Sequence, residues 1–389
     1  MKIRVPKYIN KFKCISSKCE DTCCAGWEIV IDEETYDYYQ NVSGSFGERL
    51  RNEIVNDGED NIFVLKNGNC AFLNENKLCD IYNELGEDSL CYTCKKYPRY
   101  MEEFGNLREI GISLSCPEAA RIMLGDSNKV EFELSENDEI ITSYNDIDAM
   151  LFIELMQCRN IIFNIFQNRN IDLNIRAAII LDFAKKIQDK IDEDDLTSLK
   201  MIKERYMDKN FINKTISDLD KHSSDKEYWY NDIEEYFHVF KGLKHINEND
   251  PLGLENVLSY TKGSDENKGI YLDKYREFNS FYNEKLYKFE NILIYFVFRY
   301  FMKAVFDYDV AAKVKTAVVS YLMIKQLCIV RWVESGDISD KDIVDISHTY
   351  SKDIEHLEEN IDTLAEIFKT NPVFKEDRII NILINFKGV

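Results

Sequence analysis

The chain has 389 residues, of which 45% are hydrophobic and 13% aromatic, and a formal net charge of −21. That length and apolar content allow a large buried core and exclude wholesale disorder. The acidity excludes the clustered positive field that a nucleic-acid partner requires, and it suits a solvated surface or a basic protein partner.

Met1-Lys2-Ile3-Arg4-Val5-Pro6 has no apolar stretch of signal-peptide length, so a cytoplasmic protein is expected. From Met1 to about Gly125 the chain is broken by turn signals such as Asn67-Gly68-Asn69 and Leu85-Gly86-Glu87-Asp88. This predicts a loop-rich, metal-stapled domain over residues 1–125. The polar run 126–139 predicts a linker. Beyond Ile140, apolar residues recur every three or four positions over 147–168, 174–191, 284–307, 312–334 and 339–369, which predicts helices and a helical domain over 126–389. In the last of these, Ile343, Ile346, Ile354, Leu357, Ile361, Leu364 and Ile367 form the apolar stripe, with Glu355, Glu358 and Glu359 expected to face water. The insert 241–270 holds Asp250-Pro251, Gly253, Gly263 and Gly269 and predicts a long loop. The most apolar stretch, Ile292 to Phe298, stops at Arg299 and is too short for a bilayer span, so no membrane partner is expected. The predicted fold class is therefore mainly α, with an N-terminal cysteine domain.

Cysteine usage carries the chemistry. Eleven cysteines without a secretory signal read as metal ligands or catalytic thiols in preference to disulfides. Cys14, Cys19, Cys23, Cys24, Cys70, Cys79, Cys91, Cys94 and Cys116 fall in the first third, and only Cys158 and Cys328 lie beyond. Cys14-x4-Cys19-x3-Cys23-Cys24 lets one loop present several thiolates, as iron-sulfur proteins do. Adjacent cysteines cannot easily share one tetrahedral ion, so Cys23 or Cys24 is expected to point to a second site or into the core. Cys70, Cys79 and the pair Cys91-x2-Cys94 form a second constellation, closed by Cys116-Pro117. All five histidines lie outside this region, so the ligand set is sulfur, which suits zinc or an iron-sulfur cluster. The Cys-Cys pair and the surplus of thiols favour the cluster; zinc is the alternative. His348 and His356 are expected at the surface, and the aromatic helix around 287–301 in the core. No glycine-rich nucleotide loop is present.

Phe12-x-Cys14, Cys19-Glu20-Asp21-Thr22-Cys23-Cys24-x-x-Trp27, Asn67-Gly68-x-Cys70-Ala71-Phe72-Leu73, Leu78-Cys79-Asp80-Ile81-Tyr82, Leu90-Cys91-x-x-Cys94-x-x-Tyr97-Pro98-Arg99 and Ser115-Cys116-Pro117-Glu118-Ala119-Ala120 together resemble the flagellin lysine-N-methylase family. That family is a branch of a larger group with a zinc- or iron-chelating CxxCxxCC-type domain. The resemblance covers the first 120 residues or so. It implies an enzyme that methylates lysine side chains of flagellin before export, with S-adenosylmethionine as methyl donor and a 4Fe-4S cluster on the cysteine-rich domain. The first motif is wider than the CxxCxxCC name, and the Cx3Cx2C spacing of radical S-adenosylmethionine enzymes is absent. Methyl transfer to an amine needs a neutral nitrogen in line with the methyl carbon, whereas lysine is mostly protonated at neutral pH. Tyr92, Tyr97 and Glu118, beside cysteine positions, are the candidate bases. The alternative is a non-enzymatic metal-binding or metal-handling protein with a helical interaction domain.

Overall fold

In the computed structural model, which describes residues 1–139, 147–222, 229–246, 252–261 and 265–387, the chain enters through strand β1 (Lys2–Pro6) and leaves it for the cysteine-rich segment. There it forms β2 (Val30–Ile31), α1 (Glu33–Asn41), α2 (Gly44–Asn52), β3 (Ile54–Asn56), β4 (Asn61–Phe63), β5 (Leu65–Lys66), β6 (Asn69–Cys70), α3 (Asp80–Leu85) and α4 (Tyr92–Lys96). The hairpin β7 (Arg99–Phe104) and β8 (Leu107–Ile112), helix α5 (Pro117–Gly125) and strand β9 (Phe132–Glu136) follow. One sheet has the order β7-β8-β1-β9, with β1 parallel to β8 and antiparallel to β9. The run 126–139, expected as a linker, thus supplies an edge strand. Its polarity reflects the exposure of β9, whose residues 133–136 face solvent.

The remainder is helical: α6 (Ala149–Phe166), α7 (Leu173–Asp192), α8 (Leu199–Met207), α9 (Lys209–His222), α10 (Trp229–Lys241), α11 (Leu254–Thr261), α12 (Asp265–Phe281), α13 (Tyr287–Tyr300), α14 (Ala304–Asp307), α15 (Val310–Ser335), α16 (Asp340–Glu355), α17 (Glu358–Thr370) and α18 (Glu376–Asn385). Their starts are written locally. The Asp148 carboxylate accepts from the N–H groups of Met150 and Leu151, Asp172 does the same for Asn174 and Ile175, and Ser339 with Asp342 closes a capping box on α16. Helix α15 stops at Gly336, whose φ of 76° is costly for other residues. Helices α7, α11, α12, α13, α16 and α17 surround α15. By length and composition α6 and α15 could each cross a membrane, yet 83% of the apolar window of α15 is buried inside the fold, as in a core helix.

Two expectations along the helical part are corrected. The run 241–270 contains α11 and the start of α12, because Leu254, Val257 and Leu258 bury one face; Asp250-Pro251 and Gly263 lie outside the described residues. The run 339–369 is two helices, broken at His356-Leu357. Glu355, expected in water, has a wholly buried side chain that accepts hydrogen bonds from Tyr295 (2.9 Å), Tyr300 (2.7 Å) and Ser351 and pairs with Arg299 at 2.9 Å. A buried carboxylate is tolerated only with such partners.

Hydrophobic packing divides the chain elsewhere than at 125/126. A small core joins Cys24, Ile29, Ile31, Tyr39, Leu50, Phe63, Phe72, Ile81 and Cys91. The large core includes Tyr8, Phe12, Phe104, Ile112, Leu114 and Ala119 together with the helices. The cysteine-rich unit is an excursion from the sheet. At its neck the Arg99 guanidinium lies 5.1 Å from the centroid of the Phe12 ring.

Candidate functional site

The cysteine loop is zipped to the β5–β6 hairpin. Cys70 N–H donates to the Cys24 carbonyl (2.7 Å) and Gly26 N–H to the Gly68 carbonyl (2.8 Å). Gly26 combines a φ of 90° with a close approach: a Cβ there would lie 2.3 Å from Cγ2 of Ile246. Glycine is therefore what lets the segment 240–246 lie against the loop.

Six thiols gather at the small core: Cys24, Cys70, Cys79, Cys91 and Cys94 belong to it, and the exposed Cys23 sits beside them. The single Cys24 S–H is shared between Cys23 and Cys79, and Cys94 donates to Cys91. Donation raises the Cys24 and Cys94 thiols and lowers Cys23, Cys79 and Cys91, with Cys79 brought to about 7. Cys79 and Cys91 also precede the first turns of α3 and α4, where backbone N–H groups of Ile81 and Tyr82, and of Thr93 and Cys94, favour the thiolate. Cys70 completes this group, with burial pushing its thiol up to about 12. The second group is Cys14, Cys19 and Cys116, electrostatic neighbours of one another. Cys116 stands at the start of α5 and is likewise raised to about 12 by burial. Cys23 and Cys24 lie together in the first group, whereas Cys158 and Cys328 are buried separately in the helical core.

The donor chemistry, thiols with no imidazole among them, fits a thiophilic metal or a cluster. Their spacing in this structure is that of hydrogen-bonded thiols. Among the described residues no group of three or more His, Cys, Asp or Glu side chains is arranged to hold a metal ion.

The three candidate bases sit in different surroundings. Tyr92 is 53% exposed beside the Lys96 ammonium. Tyr97 shares a hydrogen bond of 3.2 Å with Ser115, and burial raises its phenol well above the ordinary range. Glu118 is engaged by Arg121.

A seam between the cysteine loop and α16 was not evident from the sequence. Trp27, Tyr97 and His356 pack with ring centroids 5.2–5.9 Å apart, and His356 Nε2 meets Ser115 at 2.7 Å. Burial, with Lys352 and Arg299 nearby, holds His356 down to about 3, so it is neutral. Beside this seam lies a cleft of about 260 Å3 lined by Glu20, Asp21, Asp345, His348, Lys352 and Asp353, among others. The only signal for it in the sequence was the eight-residue spacing of His348 and His356 on one helical run.

A mainly α body carrying a cysteine-rich excursion, with an acid-lined cleft where the two meet, defines the class of protein. Residues 159–382, more than half of the chain, match the FliB lysine N-methylase C-terminal domain, and the chain belongs to that family. It is 30% identical over 154 residues to the lysine-N-methylases of Salmonella typhimurium and Salmonella choleraesuis, covering 36% of this chain and 36% of each relative. It is also 31% identical over 135 residues to the flagellar biosynthetic protein FliU of Salmonella muenchen, covering 31% of this chain and 76% of that protein. The chain thus spans about a third of the length of the two lysine-N-methylases. No solved structure matches it.

Proposed function

We propose that the chain is a protein-lysine N-methyltransferase that acts on flagellin in the cytoplasm, with S-adenosylmethionine as methyl donor. The observation that carries this reading is the family match across the helical body. The names of the relatives, lysine-N-methylase and a flagellar biosynthetic protein, support the reaction and the flagellar substrate. The charge of −21 suits capture of a lysine-bearing partner.

The N-terminal thiols are the residues proposed to hold a 4Fe-4S cluster. When bound, such a cluster would supply thiolate-anchored rigidity to a unit with a small core of its own. The chain's own residues would favour it: hydrogen bonds from Cys24 and Cys94, with backbone N–H groups at the starts of α3 and α4, favour the thiolates of Cys79 and Cys91. The substrate lysine must lose a proton before its nitrogen attacks the methyl carbon in line with the departing sulfur.

The test is anaerobic purification, analysis for iron, sulfide and zinc, and mass measurement of flagellin lysines after incubation with S-adenosylmethionine. A 14 Da increment per methyl group, about the mass of one CH2, with iron and sulfide in the protein supports both parts. Stoichiometric zinc without sulfide overturns the cluster. No transfer by metal-replete protein overturns the methylase reading in favour of a metal-handling one.

A further inference from the structure

The outer face of the cysteine-rich unit is made by α1 and by the segment running from α3 to the start of α4, and hydrogen bonds hold the two side by side. The N–H of Tyr92 donates to Asp32 at 2.6 Å. Further along, the Tyr39 hydroxyl donates to the Ser89 carbonyl (2.7 Å), and the Tyr38 hydroxyl lies 3.4 Å from Ser89 Oγ, which donates to the Leu85 carbonyl (3.0 Å). Glu34, Asp37, Tyr38 and Asn41, spaced three or four apart, share the exposed face of α1.

These two segments carry one sign of charge. Residues 32–41 and 80–92 hold eight carboxylates and not one Lys, Arg or His. Two of the eight serve the fold: Asp32 caps α1 and accepts from Tyr92, and Asp80 pairs with Arg49 at 2.7 Å. The other six, Glu33, Glu34, Asp37, Glu84, Glu87 and Asp88, are exposed and form no ion pair among the described residues. Aromatic surface lies among them. Tyr38 and Tyr82 are each 46% exposed, and Tyr82 stands one turn before Leu85 on α3. Lys95 and Lys96 follow on α4, where the Lys96 ammonium lies 5.4 Å from the centroid of the Tyr92 ring, so that ring is already served. An ammonium is drawn to carboxylates and to the faces of tyrosine rings, and its four-carbon stem covers apolar surface. A lysine-bearing segment answers all three features. An apolar partner would desolvate six carboxylates without pairing them, and a second copy of this chain, at −21, would be repelled.

We propose that this face docks a lysine-bearing segment of the protein substrate, with ammonium groups against Asp37, Glu87 and Asp88 and lysine stems across Tyr38 and Tyr82. The inference rests on the methyltransferase reading for the identity of the partner and adds the surface that captures it. Docking here lays the substrate along the outer side of α3 and α4, the two helices that Cys79 and Cys91 begin.

The test uses the full metal-replete chain and flagellin monomer, first without a methyl donor, so that binding is read apart from transfer. Flagellin is expected to slow amide hydrogen exchange in residues 33–41 and 82–92; binding that leaves both segments unprotected overturns the surface. Asp37→Lys combined with Asp88→Lys is expected to weaken binding about tenfold. Glu334→Lys combined with Asp362→Lys changes the net charge equally at two other exposed carboxylates that form no ion pair among the described residues, and is expected to weaken binding less than about threefold. Equal losses in the two pairs would reduce the effect to net charge and overturn the local site. Tyr38→Ser combined with Tyr82→Ser, which leaves the charge alone, is expected to weaken binding about fivefold. Protection of the same segments without flagellin, rising with protein concentration, would assign the face to a second copy and overturn the choice of partner. With S-adenosylmethionine added, the Asp37 and Asp88 reversal should raise KM and hold kcat. If wild type transfers methyl groups and that reversal leaves KM unmoved, the surface falls and the methylase reading stands. If wild type transfers none but flagellin still protects the two segments, the methylase reading falls and the surface stands.

Discussion

The Lys352 ammonium on α16 lies 2.7 Å from the Asp21 carboxylate and 3.0 Å from the Thr22 carbonyl, which ties the cysteine loop to a helix 330 residues further along the chain. Its side chain is 13% exposed and that of Asp21 is 29% exposed, so the tie is only partly screened. Lys352→Met is expected to cost about 1–3 kcal/mol of stability and to bare the loop to protease. Denaturant unfolding and timed proteolysis check this.

The thiols predict a sharp contrast between sites. Cys91→Ser and Cys79→Ser should lower bound metal and loosen the small core, because both sulfurs are held toward the thiolate, by hydrogen bonds from Cys94 and Cys24 first and by backbone N–H groups second. Cys328→Ser should leave metal content unchanged, since that thiol is buried alone in the helical core. Metal analysis of the three variants purified anaerobically decides it; equal loss from Cys328→Ser would refute the placement of the site.

Glu355 and Arg299 form a buried pair in which each charge depends on the other. Glu355→Ala leaves the guanidinium unpaired and should cost about 3–5 kcal/mol, read by chemical denaturation. Glu359, whose side chain is 62% exposed, is the control, with Glu359→Ala expected within about 0.5 kcal/mol of wild type.

His356 gives a pH dependence. Its folded value of about 3 lies below the ordinary 6.5, so the unfolded chain binds a proton that the folded chain refuses between those values. Stability therefore falls as pH drops through this window, by about 2 kcal/mol from this residue at pH 5. His356→Gln should flatten that part of the profile between pH 7 and pH 5. Thermal unfolding at the two values, side by side with wild type, tests it.

Ionic strength should separate capture from chemistry. Attraction between the acidic chain and a lysine-bearing protein is screened within about 8 Å at physiological salt. KM for flagellin should rise with salt while kcat holds nearly constant. A fall in kcat with KM unmoved would argue against electrostatic capture.

The helical body was legible because its apolar stripe is a local property: Ile343, Ile346 and Ile354 are all buried where the period placed them. Glu355 was misread for the same reason. A carboxylate on a helix reads as solvent-facing until its partners are known, and Tyr295, Tyr300 and Arg299 come from a helix some 55 residues away. His348 likewise approaches Asp21 only through the fold, so the cleft they line left little mark in the sequence. The cysteine region was evident from clustering, but the division into a group of six and a group of three depends on which turns β6, α3, α4 and α5 place side by side. Strand β9 looked like a linker because an edge strand needs few apolar residues.

The position of β1 in its sheet bears on how the protein is made. Strand β1 is synthesised before the cysteine-rich excursion, whereas its parallel neighbour β8 and antiparallel neighbour β9 follow all of it. On the ribosome, every thiol from Cys14 to Cys94 therefore emerges before the strand that precedes them has anything to pair with. The excursion's neck at Phe12 and Arg99 closes only afterwards. Metal loading during translation would meet an open loop, whereas loading after release would have to work past a finished sheet and the seam with α16.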